Sequence, residues 1–287
     1  MTRFRIVSLL TGIGVFTLAA IAVPLSGCKH ASASPVAAAS QVTMAVSDGS
    51  APAETGARSA NPAPAGTDVK CTVTRQYLVV IDISSSRNDE TLAQDKEFLK
   101  AMIQNLCLGD QIVLQQVHYN GPHDDAKHWS QTMPSPASSD FVAQDEKDRL
   151  AETIDAVKEI APRYFNSNDG QPVRHTDLFA TLSDIGEFAG DGGNRSRIIL
   201  LLSDMLQSAD GIEMQDHVRM PPPDWIERKR NMGNLPSFSG ACVYVVGGDQ
   251  TPAVKNFWKA YFTATGASLT DKNYRSTVPL QGAQICN

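Results

Sequence analysis

Basic clusters, aromatic side chains and closely spaced cysteines are all scarce in this 287-residue chain, and each scarcity removes a class of function. The formal net charge is −6, and the densest basic cluster is the short Arg228-Lys229-Arg230 run. Nucleic acid is therefore not an expected partner, because neutralising phosphates needs a basic face. Aromatics make up only 7% of the residues and glycine follows no period, which excludes a collagenous chain. There are five cysteines and no Cys-x-x-Cys pair, so a small disulfide-dense scaffold or a zinc ribbon does not fit. Gly-x-Ser-x-Gly is absent, as is a glycine-rich phosphate loop after the first strand-like run. No internal repeat is present. What remains is a globular unit with something attached.

The attachment is N-terminal. Arg3 and Arg5 precede a mostly apolar run from Ile6 to Leu25, the charge-then-hydrophobe layout of an export signal. The run nearly reaches the roughly 20 residues of a membrane span, and the next residues decide between the two. Leu25-Ser26-Gly27-Cys28 resembles the lipobox of bacterial lipoproteins, which implies cleavage after residue 27 and acylation of Cys28. Several acyl chains at about 0.8 kcal/mol per buried methylene exceed the marginal anchoring of a single chain. Lys29 in the second mature position, by the same resemblance, favours the outer membrane with the domain in the periplasm; exposure at the cell surface stays open. Residues 31–68 are dominated by Ala, Ser, Pro, Gly and Thr and offer little apolar surface to offset ordering entropy. With Cys28 they form an expected tether over 28–68, whose reach is about 35 Å for a flexible chain. The folded domain is expected over 69–287.

Four cysteines remain there: Cys71, Cys107, Cys242 and Cys286. An exported chain meets an oxidising compartment, so two disulfides are expected. Cys71 with Cys107 and Cys242 with Cys286 close the nearer loops, although three connectivities are possible.

Within the domain, strand and helix patterns alternate. The apolar run Tyr77–Asp82 has the composition of a strand buried on both faces, and comparable runs recur at 111–118, 198–203 and 242–247. Between them lie helical stripes: Leu92, Leu99, Met102, Ile103 and Leu106; then Leu150, Ile154 and Val157; then Leu178, Leu182, Ile185 and Phe188. A further helix is predicted from Pro252 to near Gly266, carrying Val254, Phe257, Trp258 and Tyr261. The segment 129–133 reads as an antiparallel edge strand, because its link to the preceding strand is too short for a helical crossover. The expected fold is α/β: a doubly wound, mostly parallel sheet with one antiparallel edge strand and helices on both faces.

Ligands of such sheets bind outside the carboxyl ends of the strands. The polar groups predicted there are Asp82-Ile83-Ser84-Ser85-Ser86, Ser203-Asp204 and His175-Thr176-Asp177. Carboxylate and hydroxyl oxygens suit a hard divalent cation such as magnesium. Asp82-x-Ser84-x-Ser86 after a buried strand, Thr176 in a later loop and Asp204 at the end of another buried strand resemble the metal-ion-dependent adhesion site of von Willebrand factor type A (VWA) domains. The resemblance spans about residues 72–270. It implies a doubly wound fold and Mg2+ or Mn2+ held by Ser84, Ser86 and Thr176, with Asp82 and Asp204 acting directly or through water. It also implies a protein or peptide partner that supplies a carboxylate to the ion.

Other readings of the same residues stand beside this one. Ser84 to Ser86 could simply cap a helix, and a phosphatase of the haloacid-dehalogenase kind lacks its second carboxylate at Ser84. A metal-assisted hydrolase would need a general base, for which His175 is the best candidate. A structural envelope subunit would use the ion for stability alone. Asp89 and Glu90 have the spacing of a second calcium site seen in integrin β-subunit domains, or serve the dipole of a helix. His118, His123 and His128, with Asp124 and Asp125, could form a transition-metal site or a recognition rim. The segment Trp225–Arg230, after three prolines, reads as a solvated helix face.

Overall fold

A computed structural model describes residues 71–119, 127–136, 143–167, 173, 175–190, 192–215 and 219–278, all within one compact unit, Pro64–Asn287. The signal segment, Cys28, the tether, His123, Asp124, Asp125 and Cys286 lie outside the described residues. Among the described residues no helix is long and apolar enough to cross a membrane.

The central strand is β1 (Arg75–Ile81), and its side chains show why it sits there. Tyr77 to Ile81 are all buried, with successive residues on opposite faces of the sheet. Such a strand needs a neighbour on each edge and a helical layer on each face. Its parallel neighbours are β2 (Gln111–Gln116) and β4 (Ser196–Leu202), with Val79 opposite Leu114 on one side and Leu200 on the other. Beyond β4 lie β5 (Cys242–Val246) and the short β6 (Tyr274–Arg275), both parallel; beyond β2 lies the antiparallel β3 (His128–Thr132). The six-stranded order is β3-β2-β1-β4-β5-β6. This is the doubly wound, mostly parallel α/β sheet expected from the sequence, with the antiparallel edge where it was predicted. β6 was not predicted, because two residues carry no readable pattern. β3 alternates exposed with partly buried residues and is capped by polar side chains, as an edge strand should be.

The helices are α1 (Asp89–Ile103), α2 (Ala143–Ile160) followed by a 3₁₀ turn (Ala161–Phe165), α3 (Leu178–Gly190), α4 (Trp225–Asn231) and α5 (Pro252–Ala264). One face of the sheet, including Leu78, Val80, Ile199 and Val243, packs against Leu182 and Ile185 of α3 and Trp258 and Phe262 of α5. The other, including Val79, Ile81, Leu200 and Val246, packs against Leu99 and Ile103 of α1, Val157 of α2 and Tyr164. α1 starts where Asn88 accepts a hydrogen bond from the Thr91 amide at 2.8 Å, with Asp89 and Glu90 in its first turn.

Below the sheet's amino ends, Cys71 is bonded to Cys107, with Cα atoms 5.9 Å apart, joining the entry to β1 with the exit of α1. Cys242 is also disulfide-bonded. The Cys71–Cys107 bond closes a loop with a sequence separation of 36, for which loop-closure entropy gives about 3–4 kcal/mol. Cys71→Ser with Cys107→Ser should therefore lower the urea midpoint by that energy divided by the denaturant slope. The doubly wound fold and its far-UV circular dichroism should be retained.

Candidate metal centre at the switch point

The chain winds from β1 to β2 in one direction and through β4 to β5 in the other, so a crevice opens between the carboxyl ends of β1 and β4. Registry places Ile81 opposite Leu202, which carries Asp82 and Asp204 to the same crevice from two strands. Asp82 is 1% exposed. Its Oδ1 accepts the Ser84 amide at 2.9 Å and its Oδ2 accepts the Ser203 hydroxyl at 2.7 Å. Ser84 and Ser86 share a hydrogen bond of 2.9 Å between their hydroxyls, and the Ser86 hydroxyl donates to Asp204 Oδ2 at 2.5 Å. Three of the five predicted ligands, Ser84, Ser86 and Asp204, thus form one continuous oxygen chain, and the Ser84 amide holds a fourth, Asp82, against it.

Thr176 arrives by backbone pairing. Its amide donates to the Ser208 hydroxyl at 2.8 Å, its carbonyl accepts the Ser208 amide at 2.9 Å, and the Ser85 amide donates to the carbonyl of nearby Val173 at 2.7 Å. The segment before α3 is therefore stitched both to the loop after β1 and to the loop after β4. The buried Thr176 side chain makes no hydrogen bond among the described residues, leaving its oxygen free for a ligand.

Two devices hold Asp204 in place. Met205 adopts the left-handed backbone, with φ of 66°, and turns the chain immediately after the aspartate. A non-glycine residue in that conformation needs support. The support is present: the Met205 amide donates to the Ser203 hydroxyl at 2.9 Å, and Trp258 of α5 donates its indole N–H to the Met205 carbonyl at 2.8 Å. From the other side, the Asp249 amide donates to the Asp204 carbonyl at 2.8 Å.

Beneath the loop lies a group that the sequence analysis did not single out. Arg87 is buried and paired with Asp95 of α1, both side chains 1% exposed. Burial pushes the Asp95 carboxyl up, Arg87 pulls it down and Asp82 pushes it up again. Gly247, with φ of 89°, leaves room for the guanidinium, since a Cβ there would stand 3.0 Å from Arg87 Nη2. Arg87 answers Asp95 and also draws the Asp204 carboxyl down, yet neither Asp82 nor Asp204 forms a salt bridge among the described residues where they converge on the crevice. Burial first, and Asp82 second, push the Asp204 carboxyl up to about 6. The donor set of two carboxylates and three hydroxyls fits a hard divalent cation, whose charge would cancel theirs.

The other predicted groups fare differently. Among the described residues no cluster of three or more His, Cys, Asp or Glu side chains is gathered to hold a metal, so any cation at the crevice depends on the hydroxyls. Asp89 and Glu90 are exposed in the first turn of α1. His118 is 5% exposed and bonded to Asp184 at 2.6 Å, with its amide donating to the Thr181 hydroxyl. His128 lies on β3 against the ring of Phe188 at 5.6 Å. His175 is exposed. α4 has no fully buried residue, but Trp225, which packs on Phe179 at 4.4 Å, and Ile226 both lie against the core. Ser203, which fixes Asp82, was legible only as a hydroxyl ending a buried strand.

No protein-family model matches the chain, and no curated protein matches it in sequence. Solved structures do align. Two crystal structures of proximal thread matrix protein 1 from the mussel byssus are 20% and 18% identical with TM-scores of 0.34 and 0.35, each covering 72% of this chain and 44% of theirs. The second is described as having a zinc-occupied MIDAS motif. A von Willebrand factor type A structure from Catenulispora acidiphila is 13% identical with a TM-score of 0.31, covering 68% of this chain and 43% of its own. The chain thus spans less than half the length of these neighbours.

The electrostatics of Asp204 make a test. Its folded pKa lies above the ordinary 3.8, so the folded state holds the extra proton between 3.8 and about 6, and stability falls as pH rises through that window. In chelator at pH 7, Asp204→Asn should therefore be more stable than wild type by on the order of 1–3 kcal/mol and melt at a higher temperature. The difference should shrink at pH 5, as followed by thermal melting at the two pH values.

Proposed function

We propose that this chain is a lipid-anchored outer-membrane protein whose VWA-like domain captures a protein or peptide partner through Mg2+ or Mn2+ at the switch-point crevice. One observation carries the reading: Asp82 and Asp204 converge with no salt bridge to either among the described residues, Asp204 linked through the Ser86 and Ser84 hydroxyls, Asp82 held by the Ser84 amide, and the free hydroxyl of Thr176 beside them. Ser84, Ser86 and Thr176 would hold the ion, with Asp82 and Asp204 contributing directly or through water. Bound there, a divalent cation supplies an electrophilic centre able to take a carboxylate from the partner. The protein's own part is to keep the oxygens in place through Ser203, Met205 and Trp258. Segments flanking the crevice, such as 204–215, supply the partner's specificity. No general base stands in this scheme, and the reading is of a binding protein rather than an enzyme.

The anchor rests on Leu25-Ser26-Gly27-Cys28, and the tether over 28–68 gives the domain room to meet a partner away from the lipid surface. Radiolabelled palmitate should enter the wild-type protein and not Cys28→Ala, which should also keep its signal segment. A wild-type protein that takes up no label would remove the anchor.

For the ion, calorimetry of the full chain in detergent should detect Mg2+ and Mn2+ binding in wild type and none in Asp204→Ala. A hundredfold excess of ion over Kd should stabilise wild type by about 2.7 kcal/mol, or about 2–4 °C in Tm per kcal/mol for a domain of this size. Crosslinking in intact cells should recover a partner in Mg2+ and lose it in chelator. Recovery that is indifferent to the ion would favour a purely structural subunit.

A further inference from the structure

Next to the crevice, a cavity of about 290 Å³ opens between α3, α4 and α5. Its walls include the aromatic rings of Phe179, Trp225 and Tyr261 and the polar side chains of Asp184, Asp210 and Lys229. It adjoins the proposed ion site along the chain, since Asp177 at its edge directly follows Thr176, and Ser208, bonded to Thr176, lies two residues before Asp210.

We propose that this cavity is a second contact point for the partner and receives a basic side chain, the guanidinium of an arginine or the ammonium of a lysine. The proposal rests on the protein-capture reading above for its occupant, and on the cavity alone for its chemistry.

Three observations select a cation. The first is charge. Asp177, Asp184 and Asp210 line the cavity against the single ammonium of Lys229, so its wall is net negative. Asp177 is already engaged, its Oδ1 accepting the Ala180 amide at 3.0 Å and Gln207 Nε2 at 3.1 Å. Asp184, 48% exposed, is shared with His118, and Asp210 is exposed. The second is the aromatic wall. Phe179 stands 4.4 Å from Trp225 and 5.6 Å from Tyr261 between ring centroids, and the ammonium of Lys229 lies 5.3 Å from the centre of the Trp225 ring. The protein thus already sets one cation on this wall, as the negative faces of aromatic rings allow. The third is an unused polar atom. Tyr261 is 1% exposed yet lines the cavity, and its hydroxyl makes no hydrogen bond among the described residues. Unlike the Tyr274 hydroxyl, it is not sealed inside the protein but opens on the cavity, where a guanidinium can donate to it while its plane lies on Phe179 or Trp225.

The test titrates the full chain in detergent with Nα-acetyl-arginine amide and with its uncharged counterpart Nα-acetyl-citrulline amide, in Mg2+ and in chelator, read by ligand-observed NMR. The arginine compound should bind in both buffers and more tightly than the citrulline compound by about tenfold, the worth of one charge-assisted hydrogen bond. Asp210→Asn should weaken it by a similar factor; asparagine suits the left-handed backbone at this position, where φ is 53°, so the loop is preserved. Tyr261→Phe should weaken it a few-fold, and Lys229→Gln, which removes the like charge, should tighten it. Equal binding of the two compounds, absence of binding, or indifference to all three substitutions would overturn the proposal. Binding only in chelator, lost in Asp204→Ala, would move the compound to the acidic crevice itself, overturning the cavity while leaving the proposed function standing. Binding in chelator by a protein that takes up no Mg2+ would support the cavity and remove the ion.

Discussion

Two like charges held together organise the upper end of this molecule. Asp82 and Asp204 are brought to one crevice because β1 and β4 run parallel and in register, Ile81 opposite Leu202. Their mutual repulsion and burial cost stability in the metal-free state, which shows as the raised carboxyl of Asp204. The structure withstands this cost through contacts made elsewhere: Ser203 on Asp82, the Met205 turn tied to Trp258, and the Arg87–Asp95 pair beneath. A site that is unfavourable alone and favourable with a divalent cation is a site whose occupancy is linked to stability.

Arg87 divides the charges. Without Asp95 it would serve as the counter-ion of Asp82 and Asp204 and compete with any bound metal. Paired with Asp95 inside the fold, it offsets the crevice charges only in part, lowering the Asp204 carboxyl less than burial and Asp82 raise it. Replacing either partner alone would strand a buried charge, a change that costs about 3–5 kcal/mol in buried pairs generally. The Arg87 Nε and Nη1 atoms, Asp95 Oδ1 and the Tyr274 hydroxyl are buried without hydrogen-bond partners among the described residues, so this layer is polar and incompletely satisfied.

The sheet was readable in the sequence because its strands are buried on both faces, which demands continuous apolar runs such as Tyr77–Ile81 and Ile198–Leu202. The ends were less readable. Ser196 and Arg197 extend β4 through backbone pairing with β1, which no apolar pattern reports, and β6 has only Tyr274 and Arg275. At the crevice, the segments 82–86 and 203–204 were readable because each ends a buried strand, and the resemblance to the VWA adhesion site picked out Asp82, Ser84, Ser86 and Asp204 within them. Their supports could not, since they come from distant segments. Asp95 did leave a trace: it falls at helical spacing between Leu92 and Leu99 on the apolar stripe of α1, where a charge needs a partner. His118 left none, because its burial depends on α3 bringing Asp184 and Thr181 against the end of β2. The cavity at Tyr261 depends likewise on three helices meeting.

The central claim is that a divalent cation sits between the carboxyl ends of β1 and β4, and paramagnetic Mn2+ locates it most directly. In the isotopically labelled full chain, substoichiometric Mn2+ should selectively broaden the amide signals of Ser84, Ser85, Ser86, Thr176 and Asp204. Exposed acidic positions such as Asp155 and Asp271 should stay sharp, and Asp204→Ala should abolish the broadening. Uniform broadening across exposed carboxylates, or broadening unchanged in Asp204→Ala, would contradict the account.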